Sequence, residues 1–260
     1  MDELIDRALA EDVGAGDLTT RILVPPDARA KAHIEQKQPG VIAGLDVAAA
    51  VFARFDVELE PASDVVARLD GPAAGILTAE RTALNFLGRL SGIATLTARY
   101  VEAVEGTGAK ILDTRKTTPG LRELEKAAVA AGGGTNHRMG LYDAVLIKEN
   151  HATAAGGLAA ATRKVVAEAP ERVEVCVECE TPEDVEIALD AGARRLLLDN
   201  MTMGELVESV ARAGGRATLE ASGGITLENV REIAETGVDF ISVGALTHSA
   251  PALDLSLLFD

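Results

Sequence analysis

The sequence predicts an α/β protein with two parts, an α+β region over the first hundred residues and a series of βα units after it. In the second part, short apolar runs alternate with amphipathic helical patterns, and glycines separate several helices from the next run. Continuous apolar runs are typical of parallel strands that are buried on both faces. Successive βα units form either an open doubly wound sheet or a closed barrel.

The α+β region begins with an amphipathic helix. A strand is predicted over residues 30–38, Pro39 and Gly40 form a turn, and a further β stretch over residues 57–69 is interrupted by Pro61. Because these strands are not separated by helices of regular length, the region is predicted to be a separate α+β layer.

A long helix over residues 78–104 joins the two parts, since apolar residues recur along it at 3/4 spacing. Ser91-Gly92 is expected to bend or break this helix. We therefore expect an N-terminal domain with its linking helix over residues 1–106 and a βα catalytic domain over residues 107–260.

The βα units supply at least six strands. They are predicted over residues 109–112, 144–147, 173–177, 195–198, 218–221 and 240–243. Thr181 is an expected N-cap, and Gly192 closes the helix that follows it. Thr226 and Glu228 are expected to open a later helix, which Gly237 ends.

The composition limits the function. The 260 residues carry 25 Lys or Arg and 41 Asp or Glu, a net charge of −16, which argues against nucleic-acid binding because that needs a broad basic face. No apolar stretch is long enough to cross a membrane. With two cysteines and no secretory or transit pattern, the protein is expected to be cytoplasmic.

Residues 113–151 depart from this acidic background. The segment holds six Lys or Arg against five Asp or Glu, together with His137 and His151, so the net negative charge lies outside it. A local cationic pocket in an anionic protein indicates a small and highly anionic ligand.

Charged residues, glycines and one serine occur where the predicted strands end. They are Asp113, Arg115, Lys116, Lys148, Glu178, Asp199, Ser222, Gly223, Gly224 and Gly244. In βα barrels the reactive groups lie at the carboxyl ends of strands, and a phosphate site often follows the last two strands. The Ser222-Gly223-Gly224 and Gly244-Ala245 turns are therefore predicted to bind phosphate, with a helix N-terminus behind the first of them.

A glycine-rich loop carries Asn136, His137 and Arg138. The guanidinium of Arg138 suits carboxylate or phosphate, whereas His137 can form hydrogen bonds or transfer a proton near neutral pH. Cys176 and Cys179 are three positions apart on one strand and point to opposite faces, so we expect neither a metal site nor a redox pair there. His33 and His248 lack neighbouring functional residues and are interpreted as structural.

Three motifs together resemble one family. They are the run from Asp113 to Arg122 (DTRKTTPGLR), the Asn136-His137-Arg138 loop after Gly133-Gly134, and the run from Leu146 to His151 (LIKENH). The pattern is similar to quinolinate phosphoribosyltransferases, and the resemblance extends over nearly the whole chain. It implies an N-terminal α/β sandwich domain, an incomplete seven-stranded βα barrel, and transfer of phosphoribosyl from phosphoribosyl pyrophosphate to quinolinate with decarboxylation to nicotinate mononucleotide.

The resemblance also implies site roles. Arg115, His137, Arg138 and Lys148 would surround the quinolinate carboxylates, and Lys116 could serve either substrate. Glu178 and Asp199 would face the ribose and an indirectly bound Mg²⁺, and Ser222, Gly223, Gly224, Gly244 and Ala245 would hold the 5-phosphate. Lys116, Lys148, Glu178 and Asp199 are the expected catalytic residues. Ala221 departs from the family pattern, in which many members have serine.

The implied assembly is a homodimer, or a hexamer built from it, in which Arg81 acts in the partner's site. Two alternatives stay open at this point. Lys148 could form a Schiff base in an aldolase-type barrel, which requires a desolvated lysine. A paralogue could instead transfer ribose phosphate to another acceptor.

Overall fold

A computed structural model describes residues 1–260, which fold into two compact units. Unit 1 comprises Met1–Leu96, Pro119–Gly132 and Ala250–Asp260, and unit 2 comprises Thr97–Thr118 and Gly133–Ser249. The expected domain boundary at residue 106 falls inside unit 2. The units differ from the expected contiguous domains because residues 119–132 and 250–260 belong to unit 1.

The chain forms eleven helices and ten strands, numbered in order. The helices are α1 Asp2–Val13, α2 Leu18–Leu23, α3 Leu45–Ala53, α4 Ala73–Ala103, α5 Arg122–Ala131, α6 Glu149–Ala154, α7 Leu158–Glu168, α8 Pro182–Asp190, α9 Met203–Ala213, α10 Val230–Glu235 and α11 Ala245–His248. The strands are β1 Arg29–Gln36, β2 Glu58–Pro61, β3 Ala67–Pro72, β4 Lys110–Leu112, β5 Ala144–Ile147, β6 Glu174–Cys179, β7 Arg195–Asp199, β8 Thr218–Ser222, β9 Phe240–Ser242 and β10 Leu255–Phe259.

Unit 1 contains a four-stranded antiparallel sheet in the order β10-β1-β3-β2. Ala32 and Ile34 of β1 are fully buried while their neighbours are more exposed, as expected when one face of a strand covers a core. The C-terminal β10 pairs with β1 in the register Ala32 to Phe259. The sequence patterns did not predict this return of the chain to its first strand.

Of the expected bend or break of α4 at Ser91-Gly92, the break is wrong, because one helix runs from Ala73 to Ala103. Ser91 is buried, and its hydroxyl accepts a hydrogen bond from the backbone nitrogen of Ala43 at 3.0 Å. A Cβ at Gly92 would lie 2.0 Å from the carbonyl oxygen of Pro251. The glycine therefore permits a close backbone approach within a continuous helix.

Unit 2 contains a six-stranded parallel sheet in the order β4-β9-β8-β7-β6-β5. Its strands are apolar because both faces are covered, and Leu196, Leu198 and Ile241 are fully buried. Thr135 adds a single parallel bridge to Leu112 at the far edge of β4. The predicted α/β class is confirmed, with six full strands and one bridged residue where the resemblance implies seven strands.

Of two helix starts predicted from the sequence, one is confirmed and the other is wrong. Thr181 caps α8 as predicted, since its side chain accepts a hydrogen bond from the Asp184 backbone nitrogen. The later helix does not begin near Thr226, because α10 begins at Val230. Asn229 instead closes a turn there by accepting the Thr226 amide at 2.8 Å.

Both cysteines lie on β6 and are buried, as free thiols. Burial raises the pKa of both, that of Cys179 to about 12. Thiolates are the reactive form of cysteine, so neither side chain is prepared for nucleophilic chemistry. None of the eleven helices combines the length and the apolar composition that a membrane span requires.

Candidate active site

Twelve of the thirteen predicted site residues line one cavity, which has a volume of about 630 Å³ and lies in unit 2. They are Arg115, Lys116, His137, Arg138, Lys148, Glu178, Asp199, Ser222, Gly223, Gly224, Gly244 and Ala245. Parallel strands place their carboxyl ends at the same edge of a sheet, so residues far apart in sequence meet there. The cavity is formed at this edge of the six-stranded sheet.

Asp113 follows β4 and holds the glycine-rich loop. Its carboxylate is fully buried and accepts hydrogen bonds from Asn136 Nδ2 at 2.7 Å and from the backbone nitrogen of His137 at 2.9 Å. Asp113 also donates its own amide to the carbonyl of Thr135 at 3.2 Å. A single acidic side chain thus fixes the segment that brings His137 and Arg138 to the cavity.

Arg138 lies at the edge of the sheet next to β5. Its guanidinium donates a hydrogen bond to the carbonyl oxygen of Ala144 at 3.0 Å. Partial burial, together with the nearby cation Arg115, lowers the pKa of Arg138 from its ordinary value. Two guanidinium groups held this close repel each other, and an anion between them would relieve that repulsion.

Two carboxylates also line the cavity, Glu178 on β6 and Asp199 on β7. Lys148 Nζ lies 3.6 Å from Glu178 Oε2. Burial raises the pKa of Glu178, the cation of Lys148 opposes this, and the charge of Asp199 adds to it, so the pKa lies above its ordinary value. The cavity therefore joins a cationic region to a region with two acidic groups.

Gly223 forms a tight turn after β8. Its φ is +93°, and a Cβ there would lie 2.2 Å from Oδ1 of Asn200. Asn200 also has a positive φ of 55° and donates from Nδ2 to Asp199 Oδ2 at 2.6 Å. The turn after β8 and the carboxylate after β7 are thus linked through Asn200.

Lys116 and Gly244 meet at the end of β9. The hydroxyl of Thr247 donates to the backbone carbonyl of Lys116 at 2.8 Å. A Cβ on Gly244 would lie 3.2 Å from both the Lys116 side chain and the His248 ring. Glycine therefore leaves room for these side chains beside the cavity.

The predicted phosphate site differs from expectation in one respect. Because α10 begins at Val230, no helix starts directly behind the Gly223-Gly224 turn. Phosphate binding at Ser222, Gly223 and Gly224 stays a prediction, and backbone amides of the turn, rather than a helix N-terminus, are the available donors.

Arg81 is the thirteenth residue and does not line the cavity. It lies on α4 in unit 1, and 64% of its side-chain surface is exposed. Its Nη2 atom lies 4.0 Å from Oε1 of Glu80.

Six further polar residues line the cavity and were given no role in the site by the sequence patterns: Thr114, Asn200, Glu220, Thr226, Ser242 and His248. Glu220 lies in the predicted strand over residues 218–221, but other predicted strands also contain a charged residue, such as Lys110 and Glu174, so its position alone carried no signal. His248 comes four residues after Gly244, on the short helix α11, so its spacing offered a weak signal.

The acidic groups suit a divalent cation that binds mainly through its substrate. The chain has no group of three or more His, Cys, Asp or Glu side chains that could enclose a metal ion. Mg²⁺ is commonly held by one or two carboxylates together with water and substrate phosphates. Glu178 and Asp199 fit that mode of binding.

Comparison with known proteins follows the same division of the chain. A family model for the N-terminal domain of quinolinate phosphoribosyl transferase matches residues 17–91, and a model for the C-terminal domain matches residues 93–258. The chain belongs to the quinolinate phosphoribosyltransferase family. All twelve cavity residues lie within the stretch that matches the C-terminal family model.

Individual family members resemble the chain over almost its full length. A nicotinate-nucleotide pyrophosphorylase (carboxylating) of Mycobacterium leprae is 44% identical, covering 98% of this chain and 95% of the relative. A mitochondrial quinolinate phosphoribosyltransferase (decarboxylating) of Nicotiana tabacum is 42% identical, covering 99% and 82%. The solved nicotinate-nucleotide pyrophosphorylase of Francisella tularensis has a TM-score of 0.94 at 39% identity, covering 99% and 95%.

Proposed function

We propose that this family member transfers the phosphoribosyl group of phosphoribosyl pyrophosphate to quinolinate, with loss of pyrophosphate and carbon dioxide, to form nicotinate mononucleotide for NAD biosynthesis. The observation that carries the proposal is the cavity, which joins the cations Arg115, Lys116 and Arg138 to the carboxylates Glu178 and Asp199. The family and the names of the relatives support the same reaction.

The cationic region solves the first chemical difficulty, which is to bring two polyanions together. Arg115, His137, Arg138 and Lys148 are proposed to surround the two carboxylates of quinolinate. Each charge-assisted hydrogen bond contributes about 1.5–3 kcal/mol when well formed. Lys116 lies near Gly244 and is proposed to contact either the acid or the phosphate end of the sugar.

The acidic region serves the transfer step. As the bond from ribose C1 to the pyrophosphate oxygen breaks, positive charge develops on the sugar, and the ring nitrogen of quinolinate forms the new bond to C1. Glu178 and Asp199 are proposed to stabilise that charge electrostatically, so no protein nucleophile is needed. When bound through substrate and water oxygens beside these carboxylates, Mg²⁺ would neutralise charge on the leaving pyrophosphate.

Decarboxylation follows on the quinolinate nucleotide. The bond from ring C2 to its carboxylate breaks, the electron pair stays at C2 beside the positively charged ring nitrogen, and a proton then bonds to that carbon. The protein must hold the departing carboxylate without stabilising it excessively. This task suits Lys148, whose ammonium group is shared with Glu178 at 3.6 Å.

Release of pyrophosphate and carbon dioxide with quinolinate tests the function, with nicotinate as the control substrate. Arg138→Ala is expected to raise the KM for quinolinate far more than the KM for phosphoribosyl pyrophosphate, whereas Arg163→Ala on the exposed face of α7 should change neither. Equal effects of Arg138→Ala on both substrates would count against this placement. Turnover of nicotinate but not quinolinate would favour the paralogue that serves another acceptor.

The aldolase alternative is less compatible with the cavity. Lys148 is ion-paired with Glu178, and 54% of its side-chain surface is exposed. A Schiff-base lysine is usually desolvated or lies next to another cation. Borohydride trapping of a carbonyl substrate on Lys148 would nevertheless revive this alternative.

We further propose a homodimer in which Arg81 enters the partner's cavity. Support comes from its exposure and from α2, whose Leu18, Ile22 and Leu23 are exposed apolar residues. Asp17, the N-cap of α2, contacts the Thr78 hydroxyl at 3.3 Å, one turn before Arg81 on α4. Large exposed apolar residues close to a functional side chain are typical of an interface.

Subunit mixing tests this assembly. Arg81→Ala and Lys148→Ala are each expected to be inactive, but random mixing should restore about a quarter of wild-type activity, because half of the dimers are mixed and each has one intact site. No recovery after verified subunit exchange would refute the arrangement. A hexamer and a cytoplasmic location stay predictions, and the tobacco relative is mitochondrial by name.

A further inference from the structure

Glu220 on β8 is a buried carboxylate for which the proposed mechanism has no use. Its side chain has no exposed surface, although the residue lies beside the cavity. A buried carboxylate requires hydrogen-bond donors, because it has lost the solvation of water. The donors around Glu220 therefore indicate what this carboxylate holds in place.

Three side chains direct hydrogen-bond donors at Glu220. Arg195 Nη2 lies 2.6 Å from Oε2, the Ser242 hydroxyl donates to Oε1, and His137 Nε2 lies 3.4 Å from Oε1. Burial alone raises the pKa of Glu220, but the bonds from these donors outweigh it and the pKa lies below its ordinary value. Glu220 is thus an ionised acceptor between Arg195 and His137.

The other ring nitrogen of His137 determines its tautomer. Nδ1 accepts the backbone N–H of Arg138 at 2.7 Å, so Nδ1 carries no proton. The ring proton is therefore assigned from this bond to Nε2, the atom that faces Glu220. Only 11% of the His137 side chain is exposed, so the ring has little freedom to turn away.

Resting on the proposed function, we propose that Glu220 is a positioning residue that fixes the orientation and the Nε2–H tautomer of His137 in the quinolinate pocket. A neutral, immobile ring then shapes the pocket, and the cations Arg115, Arg138 and Lys148 recognise the charge of the substrate. The sequence alone offered His137 as a direct partner of a carboxylate. Its two ring nitrogens are instead engaged by Arg138 and Glu220.

The first test is the tautomer in the wild-type protein. Two-dimensional long-range ¹H–¹⁵N spectra that correlate the carbon-bound ring protons with the ring nitrogens distinguish Nδ1–H from Nε2–H histidine. The chain has four histidines, and His137→Asn identifies the signal that belongs to position 137. An Nε2–H signal is expected, and an Nδ1–H signal would overturn the proposal even without a Glu220 variant.

The second test compares two isosteric substitutions on the same network. Glu220→Gln removes the charge next to His137, whereas Glu174→Gln removes the other carboxylate of Arg195, which lies 2.9 Å from Nη1 and does not contact the ring. In Glu220→Gln the His137 signals are expected to shift, and the quinolinate KM to rise by about tenfold with less than about a twofold change for phosphoribosyl pyrophosphate. Glu174→Gln should change neither the signals nor the KM values.

The outcomes separate this inference from the proposed function. Unchanged His137 signals in a folded Glu220→Gln protein, or equal KM increases for both substrates, would overturn the positioning role. If Glu220→Gln does not fold, Glu220→Asp keeps the charge but withdraws it from the ring, and the same shifts are required of it. If the wild-type protein has no activity with quinolinate, the proposed function fails while the spectra still decide the Glu220–His137 contact.

Discussion

Gly223→Ala should destabilise the protein through a contact that can be traced atom by atom. The residue has a φ of +93°, and a side chain in this region costs roughly 1–2 kcal/mol. The new Cβ would also lie 2.2 Å from Oδ1 and 2.9 Å from the backbone nitrogen of Asn200. Asn200 must therefore move, and its backbone nitrogen is tied to the Ser222 carbonyl at 2.9 Å.

The expected magnitude follows from what that movement breaks. Rotation of the Asn200 side chain removes its 2.6 Å hydrogen bond to the Asp199 carboxylate, which contributes about 1–2 kcal/mol because the group is charged but exposed. With the backbone cost, the unfolding free energy should fall by about 2–4 kcal/mol, and Tm by roughly 4–16 °C. Because Asp199 loses its support, the KM for phosphoribosyl pyrophosphate should rise as well.

Gly224→Ala is the matched control for stability. Gly224 also has a positive φ, +61°, but no heavy atom lies within 4 Å of an added Cβ. It carries the conformational cost without the contact, so Gly223→Ala should be the more destabilised by about 1–2 kcal/mol in chemical denaturation. Equal losses for the two variants would refute the argument from Asn200.

Three further predictions concern other parts of the chain. The pKa of Glu178 is raised in the folded state, so the fold favours the protonated carboxyl group over the carboxylate. The protein is therefore most stable in this respect below the ordinary pKa of Glu178, and it loses that stability as the pH rises through the folded-state pKa. Glu178→Gln should therefore raise Tm by about 1–3 °C at pH 7 but not at pH 4, and it should also cause a large loss of kcat. An equal gain in Tm at both pH values would contradict this. Gly92→Ala places a Cβ 2.0 Å from the Pro251 carbonyl oxygen and should lower the free energy of unfolding by about 2 kcal/mol or more in thermal unfolding. The control Gly88→Ala places a Cβ 3.0 Å from the Leu253 carbonyl oxygen and should be nearly neutral, because alanine has a higher helix propensity than glycine. Asp113→Asn leaves one acceptor oxygen for two donors, the Asn136 side chain and the His137 amide. It should lower the free energy of unfolding by about 1–3 kcal/mol in urea denaturation. An unchanged midpoint would show that the loop does not depend on the carboxylate.

The parallel sheet could be predicted from sequence because its signals are local. Apolar runs identified all six strands, and the run over residues 144–147 coincides with β5. Charged residues at strand ends meet in space for a geometric reason, since parallel strands end at one edge. These two rules together predict a cavity at the carboxyl edge of the sheet.

Other features depend on contacts between distant residues, which no local pattern contains. Gly92 looked like a helix interruption, but its meaning comes from Pro251, more than a hundred positions later. Glu220 was hidden because a strand pattern reports burial and not the partners that make a buried charge stable. The turn before α10 depends on the Asn229 side chain, which accepts the Thr226 amide, a contact that no apolar periodicity contains.

The pairing of β1 with β10 has a consequence for the synthesis of the protein. His33 and Asp260, which are in contact at 2.7 Å, are 227 positions apart, so the antiparallel sheet stays incomplete until β10 has been translated. Until then one edge of β1 has unpaired backbone groups, which favour association with other nascent chains. Sheets closed by such distant strands form slowly. A ribosome-bound chain stalled before residue 255 lacks β10, and it should therefore be more prone to aggregation than a chain that contains β10.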